Sequence, residues 1–314
     1  MLTRKYRKRK TQPAKEERND PMKKTVCLML ALLLAMSLTA CGGADGDLLQ
    51  PNANGGAQGS NAQRPKVTVE QVVLLEQDGI KIQAKELAAD GLMGPELKIL
   101  IENDTDKDLT IQCRNSSVNG YMVETMFSAE VAAGKKANDA ISFLSSDLEL
   151  CGIETIADMA FSFHVFTTDG WDTVLDSQQV QLKTSAADTY SYTYDHPGTQ
   201  VFEGSGIKLI AKGLNEEDSI LGPGLVMYIH NAGDQAVTVQ ARDTSVNGFM
   251  VETVFSQEIM PEKHAVSAVT FMESDLEENS ITQIQELELS FHIFDTATWE
   301  TVADTDPIKL SFNQ

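Results

Sequence analysis

Beyond about residue 66 the chain repeats itself at an offset of 128: Asn119-Gly120 returns as Asn247-Gly248, Gly94-Pro95 as Gly222-Pro223, and Phe143 as Phe271. In the same register Asp147-Leu148-Glu149 returns as Asp275-Leu276-Glu277, Phe163-His164 as Phe291-His292, and Trp171 as Trp299. So many matches in one register mean tandem duplication. The period describes whole domains, because solenoid units run only about 20–50 residues. At the front the offset is 127, Gly79-Ile80-Lys81 matching Gly206-Ile207-Lys208, so one residue was gained or lost before the Gly-Pro turn. The boundaries that follow are 66–186 for the first repeat and 187–314 for the second.

Within each copy the apolar pattern alternates, as in Ile80-Lys81-Ile82-Gln83-Ala84, Leu97-Lys98-Ile99-Leu100-Ile101, Leu109-Thr110-Ile111-Gln112-Cys113 and Phe161-Ser162-Phe163-His164-Val165-Phe166. Alternation with a period of two marks half-buried strands. Turn-forming runs such as Asp104–Asp108 and Ala133–Lys136 separate them, and the helical candidates are short, around 147–156 and 275–285. Many short strands in a domain of this size predict an all-β chain of two antiparallel β-sandwiches.

Ahead of the repeats, residues 22–43 combine Lys23 and Lys24, an apolar run from Val26 to about Ala35, and small residues before a cysteine, which is the layout of a secretory signal. Leu38-Thr39-Ala40-Cys41 resembles the lipobox of bacterial lipoproteins. That resemblance implies a diacylglycerol on Cys41, cleavage before it, and a lipid-anchored protein facing outside the cytoplasm. Two acyl chains make such an anchor durable, and the apolar run is shorter than the roughly 20 residues a spanning helix needs. The basic segment 1–21 precedes a second possible start at Met22, and residues 41–65, rich in Gly, Asn, Ala and Gln, read as a flexible tether.

Removal of residues 1–40 would leave 15 Lys+Arg against 43 Asp+Glu, a net charge of −28. Such a surface repels phosphate backbones and argues against nucleic acid as a partner. Solubility explains it, and cationic partners would also benefit.

The segments SVNGYMVET (117–125), SSDLE (145–149) and FSFHVF, separated by four residues from Trp171, occur together behind an anchor cysteine and a tether. In this combination the chain resembles the immunoglobulin-like, telokin-like domains of uncharacterised Gram-positive lipoproteins over nearly all of 66–314, in two copies. The resemblance implies immunoglobulin-like sandwiches and transfers no catalytic residue.

Four sets of residues are candidates for function. Asn119, Gly120 and Tyr121, with Asn247, Gly248 and Phe249, lie in the best-kept block; a shared partner would explain this, and so would a tight Asn-Gly turn with an aromatic plug. His164 and His292 could be bases or ligands, yet no metal-ligand partner stands near them in sequence, which favours a hydrogen-bonded strand histidine. Asp104, Asp106 and Asp108 could bind Ca²⁺, but the run lacks the glycine and glutamate of an EF-hand and reads better as a solvated turn. Cys113 and Cys151 are both absent from the second repeat, where Ala241 and Asn279 stand, and so form a possible disulfide. No cofactor is expected apart from the diacylglycerol on Cys41.

These observations favour a non-enzymatic surface module that binds a partner protein or a cell-wall polymer, with two copies raising local concentration. An envelope enzyme or enzyme inhibitor using the acidic surface is the alternative. Solute capture by large α/β lobes is disfavoured by the lack of long helices.

Overall fold

Alternating apolar residues give each repeat two sheets with one buried face apiece. The computed structural model describes residues 66–194, 196–215 and 222–312. Cys41, the signal segment and the tether lie outside them.

The first repeat runs β1 (Val73–Gln77), β2 (Ile80–Ala88), β3 (Glu96–Asn103), β4 (Leu109–Val118), β5 (Tyr121–Met122), β6 (Thr125–Met126), β7 (Ser128–Val131) and β8 (Lys135–Phe143). Helix α1 (Ser145–Leu150) follows, then β9 (Asp158–Thr167), β10 (Thr173–Asp176) and β11 (Val180–Lys183). The second repeat reproduces the series: β12 (Thr199–Gly204), β13 (Ile207–Asn215), β14 (Gly224–Asn231), β15 (Val237–Val246), β16 (Phe249–Met250), β17 (Thr253–Val254), β18 (Ser256–Ile259) and β19 (Lys263–Phe271). It closes with α2 (Glu273–Glu278), β20 (Glu286–Asp295), β21 (Thr301–Asp304) and β22 (Ile308–Ser311).

In the first repeat one sheet has the order β1-β2-β3-β8-β6, and the other places β9 between β10 and β4, with β5 and β7 also on β4. Strands β2, β3, β8 and β6 thus hold the places of A, B, E and D in an immunoglobulin sandwich, and β10, β9 and β4 those of G, F and C. The second repeat has the same two sheets, β12-β13-β14-β19-β17 and β16-β15-β20-β21. Each repeat is therefore an immunoglobulin-like antiparallel sandwich, as the alternation and the resemblance predict. Phe143, Phe161 and Phe163 fill the first core, and Phe271, Phe291 and Ile293 the second.

The pairing places the missing residue of the duplication. Leu87 faces Leu97 in the first repeat and Leu214 faces Leu225 in the second, so the offset changes from 127 to 128 inside the connection that follows β2 or β13. At the Gly-Pro turn, a Cβ on Gly94 would stand 2.0 Å from the Phe143 carbonyl oxygen, and one on Gly222 2.4 Å from that of Phe271. Only glycine permits these approaches.

The helices are shorter than the sequence predicts. Gly152, at φ 69°, closes α1 with bonds from its own N–H to Glu149 and from the Ile153 N–H to Leu148. Ser280, at φ 56°, and Ile281 do the same for α2. Each is the left-handed Schellman stop that ends helices at such residues.

The two sandwiches do not hang as separate beads. Tyr121 in β5 pairs in parallel with His264 in β19, and the His264 N–H donates to the Gly120 carbonyl at 2.9 Å. One hydrogen-bonded sheet thereby runs from β10 of the first repeat to β12 of the second. Val226, Tyr228 and Val266 of the second repeat are buried in the core cluster of the first.

Candidate functional site

The best-kept block of the duplication has a structural task in both copies. Asn119 at φ 50° and Gly120 at φ 83° make the two-residue turn between β4 and β5, and positive φ at both positions is what this turn requires. The Asn119 side chain then holds the segment that leads into β9, the neighbour of β4 in the same sheet. Its Nδ2 donates to the Thr155 carbonyl at 2.7 Å, and its Oδ1 accepts from the N–H groups of Ala157 and Asp158 at 2.8 and 3.2 Å. Asn247 holds Gln283, Gln285 and Glu286 in the same way. Asp147 accepts from the Glu124 N–H and Asp275 from the Glu252 N–H, so the two kept motifs tie each other down. Both asparagines are therefore engaged with their own loops and are not available to an outside partner. Asn119→Ala leaves three backbone groups without this partner and should cost about 2–3 kcal/mol. Urea unfolding measures it, and Asn247→Ala should fall in the same range.

One residue further on, the copies part company. Tyr121 is fully buried, whereas Phe249 is 48% exposed, Met250 66% and Val254 50%. Tyr121 lies in a cluster built by both repeats and the segment between them. Tyr192 meets it edge-on with ring centres 5.2 Å apart, Tyr194 tilts over it at 5.3 Å, and its hydroxyl bonds His196 Nε2. His196 stacks on Tyr228 at 4.0 Å, His264 on Tyr194 at 3.9 Å, and His230 on His264 at 4.3 Å. On the other side of the His196 ring, Nδ1 meets the Lys212 ammonium at 3.0 Å. Burial drives the His264 pKa down to about 4, with His230, His196 and Lys263 adding to the effect, and burial also lowers His230. Burial raises the Tyr228 phenol to about 12 and holds the Tyr121 phenol well above its usual range. Burial in the joint thus favours the neutral forms of His264, His230, Tyr121 and Tyr228.

Beside the joint the repeats enclose an open cleft of about 370 Å³. Arg114 and Glu124 come from the first repeat; Gln240, Glu258 and Trp299 come from the second. Burial and the charges of Asp147 and Glu258 raise the Glu124 carboxyl above its ordinary range. Burial raises Glu258 too, against the pull of Arg114. The lining is mostly polar.

No family model matches this chain, and no curated protein matches it. Among solved structures, the YadV chaperone aligns with a TM-score of 0.22 and 10% identity, over 69% of this chain and 92% of the chaperone. The SafB chaperone in complex with the SafA pilin of Salmonella enterica aligns at 0.22 and 8%, over 76% and 98%. A protein of unknown function from Porphyromonas gingivalis W83 aligns at 0.20 and 11%, over 74% and 100%. Scores at this level assign no function.

The histidines at 164 and 292 are hydrogen-bonded strand residues. Nδ1 of His164 meets Asp176 at 2.6 Å, and Nδ1 of His292 meets Asp304 at 2.6 Å. Each imidazole adjoins a phenylalanine on which a tryptophan stacks, Phe166 under Trp171 and Phe294 under Trp299, with ring centres 5.3 Å apart in both cases. Both tryptophans adopt positive φ, 58° and 64°, a rare state for so bulky a residue.

Asp104, Asp106 and Asp108 do not converge into a cage, and among the described residues no group of three or more His, Cys, Asp or Glu is placed to hold a metal. Asp108 instead accepts from the Ala133 N–H at 2.8 Å. The disulfide expected from the paired loss of cysteines is corrected: Cys113 and Cys151 are free thiols. Their surroundings differ, because Cys113 bonds toward Thr125 in the cleft and Cys151 toward the Val266 backbone in the joint. Burial pushes both thiols up to about 12. Cys151 has a joint role that its counterpart Asn279 lacks, since its carbonyl accepts from the Tyr192 hydroxyl.

Proposed function

We propose that this chain is a non-enzymatic, lipid-anchored extracytoplasmic binding protein, held to the membrane by diacylglycerol on Cys41. The tether 41–65 spaces two sandwiches from the lipid, and the far end of the second repeat engages a partner protein. One observation carries this reading: Phe249 and Met250 stand open on the second repeat, whereas their counterparts Tyr121 and Met122 in the first are packed into the joint. Adjacent apolar side chains left exposed on an otherwise charged molecule mark an interaction surface.

The test uses the purified chain with Cys41→Ser, added to envelope fractions of its own cell. Saturable binding is expected, weakened at least tenfold by Phe249→Lys, as loss of a central aromatic anchor does. Absence of binding, or binding indifferent to that change, would overturn the proposal.

The cleft supports a second reading, an envelope enzyme. Two carboxyls held above their ordinary range in a concave site are suited to general acid chemistry. Hydrolysis of envelope polymers that Glu258→Gln abolishes would favour it over the binding role.

A further inference from the structure

The joint inside the chain shows what a surface of this kind accepts. In the first repeat, the turn and β5 lie against the outer face of β13, β14 and β19, where Ile210, Val226, Tyr228, His264 and Val266 pack on the first core or on Tyr121 and its neighbours. The same register in the first repeat holds Gln83, Lys98, Leu100, Lys136 and Asn138: Gln83 faces Leu100 as Ile210 faces Tyr228, and Leu100 faces Asn138 as Tyr228 faces Val266. That face is charged, with Lys136 paired to Glu102 at 2.8 Å and Lys98 to Glu96. A polar outer face is how a repeat array closes an end. Among the described residues, Phe249 and Met250 are left 48% and 66% exposed.

We infer that the end of the second repeat docks onto the outer face of β strands A, B and E in an immunoglobulin-like sandwich of a different protein, in the geometry by which the first repeat docks onto the second. The inference rests on the binding role proposed above and specifies its partner. A second copy of this chain does not fit. Its first-repeat face carries lysine–glutamate pairs, and its second-repeat face is filled by its own Tyr121. In the complex the Gly248 carbonyl would accept a backbone N–H as the Gly120 carbonyl does from His264. Phe249 lacks the hydroxyl that Tyr121 directs at His196, so the partner needs no histidine at that point, only an aliphatic or aromatic floor.

The inference is tested without knowing the partner. Gln83→Ile, Lys98→Val, Leu100→Tyr, Lys136→His and Asn138→Val write the docking face onto the first repeat, and Phe249→Lys in the same chain removes its loop. Mixed with the unaltered chain, this variant should form a one-to-one complex in sedimentation, while each protein alone does not associate. Phe249→Lys in the unaltered chain should weaken the complex at least tenfold. No complex between folded proteins, or one that survives that change, would overturn the inference. Should the altered face prevent folding, Tyr121→Lys combined with Phe249→Lys, which opens the native face of the second repeat and removes its own loop, supplies a second acceptor judged by the same two outcomes. A complex here with no binding to envelope fractions would leave the docking geometry standing and remove the binding role; the reverse pattern would remove only this partner class.

Discussion

Tyr121→Ala is expected to destabilise the chain by about 3–5 kcal/mol, the range for truncating a buried aromatic ring, while Phe249→Ala, at the matching position of the duplication, should change stability by less than about 1 kcal/mol. The same block is kept in both copies, so sequence gives no reason for the difference. The structure does, since Tyr121 has no solvent exposure and touches Tyr192, Tyr194, His196 and His264. Tyr121→Phe removes only the hydroxyl, with its bonds to His196 and Tyr192, and should cost about 1 kcal/mol. Urea unfolding of the three variants decides the matter. Equal losses at 121 and 249 would mean that the joint is not the stabilising contact.

Acid should open the joint. His264 titrates near 4 when folded and near the ordinary 6.5 when unfolded, so the unfolded chain binds the proton more tightly. The stability it contributes is complete above pH 6.5, falls as pH drops from 6.5 toward 4, and levels off below. His230 shifts in the same direction and adds to the fall. Among the described residues, the groups that face His264 are His230, His196 and Lys263, none of which offers it a negative charge, along with Tyr121, Tyr194 and Tyr228, whose phenols are all pushed above their usual range. Loss of order 2 kcal/mol by pH 4 is expected after allowing for partial solvent access. A chain carrying His230→Gln and His264→Gln should unfold with a flatter dependence between pH 6.5 and 4.5. Identical slopes in the two proteins would show that other groups control the response.

The sandwich fold was legible because alternation is strong in strands such as β9, whose inward residues are Phe161, Phe163 and Val165. The duplication also located the Asn-Gly and Gly-Pro turns, each fixed by a backbone state that few residues adopt. The joint was less visible, although a signal for it was present. β3 reads ELKILIEN and buries one face, but its counterpart β14 reads GLVMYIHN and is buried on both. In β8, Lys136 and Asn138 face outward, where β19 has His264 and Val266. Comparison of the copies for what they keep drew attention to the SVNG block, whereas comparison for what they change would have marked the docking face. The positive φ of Trp171 and Trp299 had no signal at all, because tryptophan is not a residue that announces a left-handed turn. The cysteine pairing failed for a further reason: joint absence from the second repeat reflects two separate local environments, and coincidence in sequence carried no distance.

A photo-reactive side chain placed at Phe249, in the full chain in its own cell, tests the docking role most directly. Leu92, 95% exposed on the first repeat, is the matched apolar control. The expected result is a discrete adduct between position 249 and a second protein, and none from position 92. No intermolecular adduct at 249, or the same products from both positions, would contradict the assignment of the second repeat's open end as the binding surface.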